Sequence, residues 1–127
     1  MAGEEATELI RLTLMRARFC ELMEPYASAP ASDLFLVGLL SLLDAMLDQP
    51  MSVVIEQVPI SPDCRDALTG TKNSLSDTLV LAIACERGDW DALPQLCDAL
   101  NCSESQAFQR VVEAQGWACD LLPHTEF

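Results

Sequence analysis

From Leu34 to Leu47 the chain reads LFLVGLLSLLDAML, with apolar residues on almost every side of a helical wheel. A helix that is apolar all round has to be enclosed by other helices. The pattern predicts one helix over 33–48, with Ser32 as a cap that accepts a bond from an early backbone N–H. Gly38 weakens such a helix intrinsically, so its use is the close approach of a neighbour. The longest apolar stretch, Leu34 to Leu43, lies between Asp33 and Asp44. That is about half the length needed to span a bilayer.

The other segments supply the enclosing elements. Leu9, Leu12, Met15, Phe19 and Leu22 recur at three and four, which predicts a helix over 7–24 that Pro25 ends. Pro50 breaks the chain, and Met51 to Val58 reads as a short helix with Val54, Ile55 and Val58 inward. Ser61-Pro62 opens a further helix that Gly70 closes. A capping box at Ser74–Asp77 starts a helix that runs to Arg87, with Gly88 in the left-handed position. Asp89 caps a helix over 90–100. The full box Ser103-Glu104-Ser105-Gln106 begins the last helix, which extends to about Leu122. The expectation is a single all-α domain over 1–127, a bundle of about seven helices.

Twenty acidic residues against seven basic ones give a net charge of −13. That surface repels nucleic-acid phosphates and anionic lipids, so neither is an expected partner. The acidic MAGEEATE start lacks the basic region of a signal peptide, and a cytoplasmic location is expected. Six cysteines without a C-x-x-C pair read as buried free thiols.

Candidate chemistry is sparse. His124 is the one histidine, and its place near the C-terminus predicts an exposed side chain. GTKNS (Gly70 to Ser74) lacks the full phosphate-loop pattern and reads as a turn. Asp44 and Asp48, one turn apart, would share a helix face near its C-terminus, where negative charge needs compensation. Ion pairs with Arg16 or Arg18 are the expected source, in preference to a shared metal. The Arg11, Arg16 and Arg18 cluster admits an anion site, but pairing with acids such as Glu21 or Glu24 accounts for it more simply. Trp90 and Trp117 are either helix anchors or exposed anchors for a partner.

Several stretches together resemble the HDOD family, HD-related output domains of bacterial signalling proteins, and above all the variant that follows an EAL phosphodiesterase-type domain. They are ELIRLTLMRARFCELM (8–23), LFLVGLLSLLDAMLDQPMSVVIEQVPIS (34–61), ALTG (67–70), ACERGDW (84–90) and AFQRVVEAQGWACDLL (107–122). The wider superfamily hydrolyses phosphoesters with metals held by His and His-Asp pairs. Its second stretch would read roughly GLLHDIG. Alignment on Gly38-Leu39-Leu40 puts Ser41 over the His and Leu42 over the Asp, and the usual first-helix His falls at about Leu12.

The resemblance implies a C-terminal portion of such a domain, without metal or other cofactor and without catalysis. It implies an output or protein-interaction module tied to cyclic-di-GMP signalling, with a protein partner or an attached EAL domain. Loss of covering helices would expose an apolar face and favour at least a dimer. The alternatives are a degenerate metal-dependent phosphohydrolase and a nucleotide sensor without turnover, the latter resting on the arginine cluster.

Overall fold

A computed structural model describes residues 3–122, and His124 lies outside them. The described chain is all-helical, as the punctuation predicts. Its elements are α1 (Gly3–Leu22), α2 (Ala31–Leu40), α3 (Leu43–Leu47), α4 (Met51–Val54), a 3-10 turn (Ile55–Gln57), α5 (Pro62–Leu68), α6 (Ser74–Arg87), α7 (Leu93–Ala99) and α8 (Glu104–Leu121).

The long apolar segment is the centre of the assembly. Helix α1 lies along α2 as its most extensive partner and also packs on α8 and α6, while α5 and α6 close the far side of α2. Leu34 and Val37 of α2 are sealed from solvent, together with Cys20 of α1, Met23 just beyond it, Cys64 of α5, and Leu75, Thr78 and Leu81 of α6. Thr78 satisfies its buried hydroxyl by donating to the Ser74 carbonyl at 2.8 Å.

Gly38 does what its position predicts. A methyl group there would meet the Ala17 Cα at 2.6 Å and the Arg16 carbonyl oxygen at 2.7 Å. The α1 backbone therefore passes directly over α2 at this point, closer than any side chain would permit.

Several boundaries differ from the sequence reading. The expected helix over 33–48 divides at Ser41-Leu42. The Ser41 hydroxyl donates to the Gly38 carbonyl at 2.8 Å, a back-bond that competes with helix continuation. Ser32 caps nothing: Pro30 holds the cap position with extended backbone, and Ser32 already lies inside α2. The box at α6 sits one residue earlier than predicted, with Asn73 and Ser76 as the reciprocal pair. The Ser103–Gln106 box, the Ser61 cap and the left-handed Gly88 are as expected.

Helix α7 starts at Leu93 rather than Trp90, and Asp89 does not cap it. Pro94 accounts for this. A proline fits within the first turn, where its missing N–H is not needed, and it would obstruct a helix begun a full turn earlier. Residues 89–92 consequently form a tight corner after α6, which turns Trp90 outward.

Candidate functional site

Two features stand out, one inside the bundle and one on its surface. Inside, Arg16 projects from the buried side of α1 toward α6 and the end of α2, and the residue is only 7% exposed. Its Nε donates to Glu86 Oε2 at 2.8 Å and its Nη2 to Glu86 Oε1 at 2.6 Å. The remaining nitrogen, Nη1, donates to Ser41 Oγ at 3.0 Å. This two-pronged pairing is the strong form of an Arg–carboxylate contact. It occupies both oxygens of Glu86 and ties three helices together at one point.

Leu12, Met15 and Phe19 of α1 border a hollow of about 180 Å³ beside this pair, with Val111 of α8 opposite. Leu12 thus lies on the same hollow as Arg16, whose guanidinium reaches Ser41. A guanidinium fills the space beside Ser41 with positive charge. Among the described residues, no three His, Cys, Asp or Glu side chains converge as a metal-binding group. Cys20 is sealed nearby, and burial pushes its thiol up to about 12, against the lowering effect of Arg16.

The expected ion pairs are rearranged. Arg16 and Arg18 do not meet Asp44 or Asp48. Arg16 takes Glu86, and Arg18 takes Glu21 at 2.7 Å. Arg11 pairs with Glu8, so the whole arginine cluster is neutralised by carboxylates of its own domain. The split at Ser41-Leu42 explains the failure of the Asp pairing. Asp44 now opens α3, where its Oδ1 accepts the Ala45 N–H, and Asp48 closes α3 in left-handed backbone with φ of 54°. The two no longer share the face of one long helix.

The tryptophans take different roles. Trp117 is a half-buried anchor between helices: its ring meets Phe35 edge-on at 6.3 Å, and the Arg18 guanidinium lies 5.5 Å from its centroid. Trp90 is 58% exposed and touches Phe108 edge-on at 6.5 Å. It forms one wall of a surface groove of about 830 Å³ between α8 and the corner joining α6 to α7. Phe108 and Val112, each 56% exposed, line it from α8, one helical turn apart. Leu93 and Ala107 lie at its buried base.

Sequence reasoning missed Glu86, Phe108 and Val112. Glu86 sits one turn beyond Ala82 on an otherwise apolar stripe of α6, and a lone acid there was the available signal. Phe108 and Val112 repeat at four residues beside the stripe of buried Ala107, Ala114 and Ala118 and half-buried Val111, which gives α8 more apolar surface than its packing uses.

No family model matches the chain. Over 123 residues, 95% of its length, it is 33% identical to the cyclic di-GMP phosphodiesterase CdgJ of Vibrio cholerae. Over 116 residues, 91% of its length, it is 28% identical to the uncharacterized protein YuxH of Bacillus subtilis. No solved structure matches. The chain spans 28% of the length of each of these relatives. Nearly the whole of this helical unit is therefore similar to one region of a much longer cyclic di-GMP phosphodiesterase.

Proposed function

We propose that this chain is a non-catalytic output or protein-interaction module of cyclic-di-GMP signalling, akin to the C-terminal part of an HDOD domain. It would act in the cytoplasm, alongside or attached to an EAL phosphodiesterase-type domain. The observation that carries the non-catalytic reading is the half-buried node of Arg16, Glu86 and Ser41. Where related enzymes would place metal-ligating imidazoles and a carboxylate, this chain has Leu12, Ser41 and Leu42, with a cation next to the serine. The carboxylate at the node already has both oxygens engaged. A divalent ion would have to displace a buried ion pair to enter.

The likeness to CdgJ supports the signalling context. The matched region is 28% of that protein, so the activity in its name need not reside there. The sensor alternative loses its footing because Arg11, Arg16 and Arg18 are each paired internally. What the chain offers outward is the groove at Trp90, the kind of surface through which a module signals by contact.

The test is elemental analysis of the purified chain together with a cyclic di-GMP hydrolysis assay and calorimetry with the same nucleotide. The expected results are no stoichiometric metal, no turnover and no binding heat. A metal held at one per chain with measurable hydrolysis would overturn the reading.

A further inference from the structure

We infer that the groove between α8 and the α6–α7 corner is the docking site for an amphipathic helix, apolar on one face and carrying Lys or Arg along its flanks. This rests on the reading of the chain as an interaction module and supplies the chemistry of the partner.

The shape argues for a helix. Phe108 and Val112 form a ridge at four-residue spacing on α8, and Trp90, in edge contact with Phe108, extends this apolar surface toward the α6–α7 corner. An approaching helix packs its own three- and four-residue ridges against such a surface. Exposed Trp and Phe over a buried base, here Leu93 and Ala107, are the side chains that dominate binding energy in contacts of this kind.

The charge argues for a cationic flank. Glu104 and Glu113 line the groove, and no Lys or Arg does. Asp89 and Asp91, both exposed, stand on either side of Trp90 in the chain. Of these acids Glu113 alone has an ion-pair partner in its own helix, Arg110 at 2.7 Å. A second copy of the chain would bring a further charge of −13 to this rim. Nucleic acid and anionic lipid would be repelled for the same reason. A basic helix edge is the complement that satisfies both the apolar floor and the acidic rim.

The experiment uses the intact chain and two labelled synthetic helices, one of Leu and Lys in amphipathic register and one with Glu replacing every Lys, read by fluorescence anisotropy. The Leu/Lys helix is expected to bind saturably, with affinity falling as salt rises, and the Leu/Glu helix at least about tenfold more weakly. Phe108→Ala and Val112→Asp should each weaken binding by about tenfold or more. Val53→Asp, an exposed apolar site on α4 outside the groove, should leave binding unchanged. Circular dichroism confirms that each variant is folded.

Absence of Leu/Lys binding would overturn the inference, as would equal binding of the Leu/Glu helix or an equal loss from Val53→Asp. A dimer seen by light scattering and abolished by Val112→Asp would give the groove to a second copy instead. None of these outcomes alters the metal and hydrolysis assays, so the two readings stand or fall separately.

Discussion

Arg16 brings a full charge into a site where it is only 7% exposed, and it is tolerated there because each of its three guanidinium nitrogens donates to Glu86 or Ser41. Removing one partner strands the other. Glu86→Ala is expected to cost about 3–5 kcal/mol in chemical denaturation. The paired replacement Arg16→Met with Glu86→Leu should cost clearly less, because no orphaned charge remains. An equal or larger loss in the double variant would show that the charge pair itself is the stabiliser. Cys20 gives a second prediction. Its thiol rises from an ordinary 9.0 to about 12 on burial. Below pH 9 the thiol is neutral in both states and its stabilising effect is complete. From there to about pH 12 the unfolded chain alone sheds the proton, so stability falls. Denaturation midpoints measured from pH 7 to 11 should decline less steeply in Cys20→Ala than in the parent chain.

At the scale of the element, local rules succeed where the information is local. The box of Ser103 with Gln106 was legible because both halves of the bond lie within one turn. Ser103→Ala is expected to cost about 1 kcal/mol, whereas Ser32→Ala, inside α2 with no capping bond, should cost well under half of that. Equal thermal shifts in the two variants would refute this assignment of caps. The α1–α2 crossing is the tightest joint in the bundle. A Cβ at Gly38 meets backbone atoms, which cannot rotate away as a side-chain tip can. Gly38→Ala should therefore destabilise by about 1–3 kcal/mol, despite the better helix propensity of alanine. A gain in melting temperature would show that the helices can separate at little cost. Local rules failed at Ser41-Leu42, where the helix ends at a serine whose hydroxyl donates to the Gly38 carbonyl and accepts from Arg16, a partner 25 residues away in the chain.

At the scale of the whole molecule, opposite demands are met on different surfaces. A charge of −13 spread over a 127-residue chain repels itself in the folded state. Raising NaCl from about 0.01 M to 0.15 M shortens the screening length from about 30 Å to about 8 Å, so the melting temperature should rise over that range. A fall would mean that attractive surface pairs outweigh the repulsion. Against this acidic exterior the groove at Trp90 is an apolar exception, framed by acids and built where α8 meets the end of α6. Among the described residues, no helix is long and apolar enough to cross a membrane.

The sequence by itself determined the helical class, most element boundaries and the glycine at the crossing. Each of those follows from interactions within a few residues or from an apolar pattern with a single way to be buried. Only the tertiary structure decided that Arg16 would find Glu86, seventy residues away along the chain, rather than the nearer Asp44 or Asp48. It likewise decided that Trp117 would turn inward onto Phe35 and Trp90 outward beside Phe108. The reason is the same in each case: which charge meets which, and which ring is covered, depends on how helices distant in sequence are brought side by side.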